Sequence, residues 1–235
     1  MDIDADGSIK KRLAGVFDRI QSAMQKAGRR QGVRLVAATK AVTVERIREA
    51  IHAGVRIAGE NRLQEALPKI DGLKEEGIAW HFIGQLQRRK ARAVVGVFEL
   101  IHSVDSVELA VEIDRRAAAA GLRQNILLEI NLAEEQSKAG FLVHELEAAL
   151  PRLASLDHLT IQGLMTVPPF VQDAEQSRPH FRRLRELAVH LTRQDIPGVS
   201  LNELSMGMSN DYAVAIEEGA TLIRLGTAIF GGRHG

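Results

Sequence analysis

The chain has 235 residues, 45% of them hydrophobic and 26% charged, and its 31 lysines and arginines nearly balance 30 aspartates and glutamates for a net charge of +1. That is the composition of an ordinary globular protein, and the balance removes any general electrostatic argument for a nucleic-acid partner. There is no cysteine, which excludes disulfides, thiolate catalysis and cysteine-ligated zinc, and fits a reducing compartment.

No apolar run approaches the roughly 20 residues that span a bilayer, so no membrane partner is expected. The start, Met1-Asp-Ile-Asp-Ala-Asp-Gly7, is acidic and polar, unlike a secretory signal. The reading is a cytoplasmic protein with mobile residues 1–7 and an N-terminal helix within 8–31. Ser8 caps that helix, and Ile9, Leu13, Val16, Phe17, Ile20 and Met24 recur at helical spacing. From Arg34 the pattern alternates. Strands are predicted at 34–39, 55–59, 79–83, 100–104, 124–131, 159–165, 200–204 and 222–225. Helices are predicted between them at 43–53, 62–73, 89–95, 106–120, 143–153, 174–194 and 211–218, with a last turn in 226–235. Pro68 is expected to kink or divide the second of these, and Pro179 to delay the start of 174–194. Alternating strands and helices with short connections predict a parallel sheet. Eight such units in this length favour one (β/α)8 TIM-barrel domain over 1–235, with an open doubly wound sheet as the alternative.

In such a barrel the working groups stand at the C-terminal ends of the strands. Lys40 ends the apolar run Arg34-Leu-Val-Ala-Ala-Thr-Lys40, where an amine can meet a carbonyl and form a Schiff base. Glu60, Asn61, His81, Gly84, Ser103, Asp105, Asn131 and Met165 follow at the ends of successive strands. After the seventh strand comes Ser205-Met-Gly-Met-Ser209, and after the eighth Gly226-Thr227. Glycines that admit an anion, hydroxyl groups and helix N-termini together suggest a phosphate cradle across the mouth from Lys40. A lysine with a phosphate cradle suggests pyridoxal 5′-phosphate (PLP), or a Schiff-base aldolase acting on a sugar phosphate. Arg224, just before the cradle's glycine, would donate to a pyridine nitrogen without leaving a proton on it. The histidines show no metal-ligand spacing, so no metal is expected. Gln87–Arg92 reads as a solvated basic helix face, and Lys138 as either an anion contact or an exposed lysine.

Ala38-Thr-Lys40, Ala58-Gly-Glu-Asn61, Gln64-Glu65, Trp80-His-Phe-Ile-Gly84, Leu86-Gln87, Ser137-Lys138-Ala-Gly140, Gly163-Leu-Met165, Leu204-Ser-Met-Gly-Met-Ser209 and Arg224-Leu-Gly-Thr-Ala-Ile-Phe-Gly231 occur in this order. Together they resemble the YggS/PROSC family of PLP homeostasis proteins. The resemblance implies a barrel like the N-terminal domain of bacterial alanine racemase, with PLP held as a Schiff base on Lys40. It implies phosphate contacts at Ser205, Ser209, Gly226 and Thr227, Arg224 at the pyridine nitrogen, and Asn61, His81 and Met165 lining the pocket. Two positions depart from the family pattern: Val42 replaces a second lysine, and Arg89 replaces an asparagine. An accessory role of that second lysine does not carry over.

The competing readings are a PLP carrier without strong catalysis, a PLP-dependent amino-acid racemase, and the aldolase. A racemase of this kind resembles a two-base machine whose second base is a tyrosine from another domain. This chain has a single tyrosine, Tyr212, and no second domain is expected after the barrel. The aldolase reading lacks an acid–base partner for Lys40. The expectation is therefore a PLP-binding homeostasis protein, not an enzyme beyond weak racemase-like activity. Its partners would be PLP, other B6 vitamers and apo-enzymes that receive the cofactor, and the chain would be a monomer.

Overall fold

The computed structural model describes residues 8–135 and 138–232. The expectation of a mobile 1–7 lies outside the described residues. α1 (Ile9–Lys26) is capped by Ser8, whose hydroxyl accepts from the Lys11 N–H at 3.3 Å. It buries Ile9, Leu13, Val16, Ile20 and Ala23, with Phe17 and Met24 half-buried beside them, so the predicted apolar face is the packed one. That face lies against the helices that follow β1, β7 and β8 below.

Strand–helix alternation then runs to the end. β1 (Arg34–Ala38) leads to α2 (Val44–His52), capped by Thr43, and β2 (Ile57–Glu60) to α3 (Leu63–Gly72). β3 (Ala79–Phe82) is followed by a 3-10 turn at 88–90 and the short α4 (Ala91–Val94). β4 (Leu100–Val104) leads to α5 (Val107–Ala119), capped by Ser106, and β5 (Gln124–Glu129) to α6 (Val143–Ala154). β6 (Leu159–Met165) precedes a 3-10 turn and α7 (Arg178–Thr192), and β7 (Val199–Ser205) precedes α8 (Tyr212–Glu217). β8 (Leu222–Leu225) ends in α9 (Thr227–Phe230). The strands pair in parallel in chain order, and β1 pairs with β8, so the sheet closes into the expected barrel and not the open alternative. Among the described residues no helix is long and apolar enough to cross a membrane.

Two details differ from the expected elements. α3 passes through Pro68 unbroken. Pro68 and Gln64, one turn earlier, are both exposed, so the Gln64 carbonyl that loses its helical donor faces water. β5 stops at Glu129, where the chain bridges to Phe141 instead: the Phe141 N–H donates to the Glu129 carbonyl at 2.8 Å and the Asn131 N–H to the Phe141 carbonyl at 3.0 Å. Pro179 sits in the first turn of α7, where its missing N–H costs nothing.

The barrel interior is filled by a cluster of Val36, Ile57, Leu100, Leu127, Met165 and Leu222. The outward faces of the strands and the inner faces of the helices form the larger core, including Phe181, Leu13, Ile101 and Ile126, all fully buried. Where β6 meets β7 the register shifts next to Gly163, and a side chain there would overlap the Glu203 carbonyl oxygen and stand 2.6 Å from its carbon. Both sides of that clash are backbone, so Gly163→Ala is expected to lower stability by about 3 kcal/mol, at the upper end of overpacking costs. A urea melt reads this directly; an unchanged midpoint would mean that the two strands part without cost.

Candidate functional site

Inward-facing positions alternate along each strand, so a residue two places beyond one that fills the interior points towards the mouth. On β1 the interior residue is Val36, and Ala38 and Lys40 continue its series. Lys40 occupies a tight turn closed by the Val42 N–H donating to the Thr39 carbonyl at 3.0 Å, with Ala41 at φ 58°. The lysine is exposed, and among the described residues its ammonium has no hydrogen-bond or ion-pair partner. The turn beneath it is held firmly. The Thr39 hydroxyl donates to Glu60 Oε1 at 2.6 Å, and Lys69 Nζ donates both to the Thr39 carbonyl and to Glu60 Oε1, each at 2.7 Å. Glu60 is fully buried, and its Oε2 has no partner. A buried ion pair thus grips the residue next to Lys40.

The two Gly/Ser/Thr turns meet. Ser209 Oγ accepts from the Gly226 N–H at 3.3 Å and the Ala228 N–H at 3.1 Å, so two amides converge on one oxygen. Thr227, between them, is exposed. Gly207, at φ 92°, makes the bend possible, and a side chain there would lie 2.6 Å from Ala215 Cβ. Asp211 locks the loop by accepting from the Met208 N–H at 2.7 Å and the Ser177 hydroxyl at 3.0 Å. The expected position of Lys40 across the mouth from this cradle is corrected. Closure makes β8 the hydrogen-bonded neighbour of β1, and a Cβ on Gly226 would stand 3.6 Å from that of Ala38. The lysine and the cradle are side by side.

Arg224 lies just inside. It is buried, and its Nη1 donates to the Ser205 carbonyl at 2.9 Å and to Ser205 Oγ at 2.5 Å, while Nη2 donates to the Thr166 carbonyl at 2.9 Å. Burial pulls its pKa down to about 10, with Glu129 and Asp211 opposing, so near neutral pH it is a cation and purely a donor. Ser205 Oγ lies 2.8 Å from His102 Nδ1, and His102 Nε2 lies 3.0 Å from His81 Nδ1. Burial holds both imidazoles neutral, His81 down to about 3. Glu129, half-buried and two residues past the interior residue Leu127, is pushed up to about 7 by burial and by the Asp105 charge, against the pull of Arg224.

The structure therefore gathers Lys40, Ser209, Gly226, Thr227 and Arg224 at the junction of β1, β7 and β8. Asn61 is half-buried at the end of β2, and Gly84 must be glycine because a Cβ would overlap the Asn61 backbone. Met165 and His81, expected to line the pocket, are both buried, and Met165 stands in register with Glu129. Ser205 is fully buried and turned towards His102 and Arg224, not into the cradle. Asn131 ties down its own loop through the Glu135 carbonyl at 2.9 Å, and Lys138 pairs with Glu135 at 2.7 Å. Ser137 of the Ser-Lys-Ala-Gly motif lies outside the described residues. Tyr212 is buried against α1 and interacts with Arg19. Sequence reasoning missed Lys69, His102, Glu129 and Thr166. Inward parity on β4 and β5 would have found His102, two after Leu100, and Glu129.

Comparison with known proteins identifies the family and the fold. The alanine racemase N-terminal domain family matches residues 12–234. A pyridoxal phosphate homeostasis protein of Aquifex aeolicus is 44% identical over 224 residues, covering 95% of this chain and 97% of its own. One from Synechocystis is 46% identical over 202 residues, covering 86% and 92%. The structure of PipY from Synechococcus elongatus, solved with PLP bound, superposes with a TM-score of 0.84 at 39% identity over 95% of this chain and 100% of that one. The chain belongs to the alanine racemase N-terminal-domain family, and within it to the YggS/PROSC group of pyridoxal phosphate homeostasis proteins.

Proposed function

We propose that this chain holds PLP and serves PLP homeostasis without strong catalysis of its own. The observation that carries the reading is the convergence of the Gly226 and Ala228 amides on one oxygen, beside the exposed Lys40 turn and above a buried, donor-only arginine. Amides that already gather round a hydroxyl oxygen suit a phosphate oxygen, and the donor set matches an anionic group. In this reading Ser209, Gly226 and Thr227 take the phosphate, Arg224 donates to the ring nitrogen, and Asn61 borders the ring. Bound there, the cofactor would supply an aldehyde that a primary amine captures reversibly. Lys40 provides that amine, and the Thr39–Glu60–Lys69 network orients it.

The same groups argue against efficient turnover. An arginine at the ring nitrogen leaves no proton there, so it supports the ring less as an electron sink than a carboxylate partner does. Tyr212, the chain's single tyrosine, is packed against α1 and does not reach the mouth as a second base. A weak racemisation is the second reading. The observation in its favour is Glu129, whose carboxyl titrates near neutrality at the mouth. Lending PLP or other B6 vitamers to apo-enzymes, as a cytoplasmic monomer, belongs to the primary reading.

The test is spectroscopic. Protein mixed with PLP is expected to turn yellow, and borohydride is expected to fix a pyridoxyl group on the peptide that contains Lys40. A colourless mixture, or fixation on a different lysine, would sink the proposal. Robust PLP-dependent racemisation of a free amino acid would overturn its non-catalytic part.

A further inference from the structure

Ser205 belongs to a motif that resembles a phosphate cradle, yet its surroundings are those of a different job. Its hydroxyl is fully buried and has both its roles taken. Arginine only donates, so Ser205 Oγ accepts from Arg224 Nη1. The Ser205 O–H then needs an acceptor, and His102 Nδ1 stands 2.8 Å away. With Nδ1 accepting, neutral His102 carries its proton on Nε2 and donates it to His81 Nδ1 at 3.0 Å. The opposite orientation would strand the Ser205 hydroxyl hydrogen in the interior. His81 Nε2, beyond the end of this chain of bonds, is a buried polar atom without a hydrogen bond in either orientation.

Arg224 is the other end of this chain. Two bonds to Ser205 and one to Thr166 hold its Nη1 and Nη2 atoms. Among the described residues Nε–H has no acceptor, and Nε is not fully buried, so this donor keeps access to solvent at the C-terminal end of β8. We propose that Ser205 and His102 are positioning residues which clamp the Arg224 guanidinium so that its Nε–H presents to a single acceptor in the mouth, and that Ser205 makes no phosphate contact. The proposal rests on the PLP reading for the identity of that acceptor, the pyridine nitrogen.

The experiment measures two ligands on each variant: PLP, by its absorbance, and inorganic phosphate, by its competition with PLP. Ser205→Ala is expected to weaken PLP by about tenfold, comparable to losing one hydrogen bond to a charged group. Its affinity for inorganic phosphate stays within about twofold of the parent, a change worth less than one such bond. Ser209→Ala weakens both ligands together. Ser205→Thr, which keeps the hydroxyl, restores PLP affinity. A phosphorylated aromatic aldehyde with carbon in place of the ring nitrogen binds parent and Ser205→Ala alike. His102→Leu, which removes the hydroxyl's acceptor, reproduces the Ser205→Ala pattern and carries the test if that variant does not fold. Parallel loss of phosphate and PLP affinity in Ser205→Ala would overturn the proposal. So would unchanged PLP affinity, failure of threonine to restore it, or an equal loss with the nitrogen-free aldehyde. Failure of the parent protein to bind PLP at all would strike the underlying reading instead.

Discussion

Lys40→Ala is expected to abolish borohydride-fixable pyridoxyl incorporation completely while leaving the fold intact. The lysine is exposed, and its ammonium has no partner among the described residues, so truncation removes no packed atom or paired charge. The stability change should lie within about 0.5 kcal/mol, as for other featureless surface sites. The phosphate contacts proposed at Ser209 and Gly226 do not depend on Lys40, so the variant should still bind PLP non-covalently and release it on dilution. Mass spectrometry after borohydride treatment and a dialysis series together read both effects. Persistent covalent labelling would show that another amine carries the cofactor, and loss of all binding would show that the cradle is not an independent anchor.

The largest effect on stability is expected one step below. Lys69→Met leaves Glu60, fully buried, with a carboxylate that has lost its cation, and one of its oxygens is unpartnered already. Breaking a buried pair from one side costs about 3–5 kcal/mol, because the remaining charge stays dehydrated and unopposed. The Thr39 carbonyl loses one of its two donors in the same substitution and keeps the Val42 N–H, so the turn that presents Lys40 loosens as well. Removing the charge from both partners, with Glu60→Gln and Lys69→Met together, should recover most of the loss. Urea melts of the two single variants and the double variant give the coupling energy. Additive losses would mean that the pair is not the source of the effect.

Much of this was legible in the chain alone. Alternation of apolar strands and amphipathic helices showed the barrel, and Ser8 capped the helix it was expected to cap. Lys40 stands out as a candidate in the sequence because it ends an apolar strand, and the barrel rule turns strand ends into candidate site positions. Boundaries were less legible. Pro68 looks like a helix breaker until its exposure shows that water can take over the freed carbonyl.

The chain by itself determined which residues stand at strand ends and which helical faces are apolar. These follow from local periodicity and from backbone preferences that act over a few residues. Only the tertiary structure decided which of those ends touch. Closure put Lys40 beside the Gly226 turn instead of opposite it. Ser205 meets His102 across 103 positions of sequence, and Arg224 donates to the same hydroxyl. Lys69 could read as a surface helix lysine until α3 folded against β2 and buried it on Glu60. Such pairings depend on barrel register and on which buried polar groups must find each other, and neither is written in any one segment of the chain.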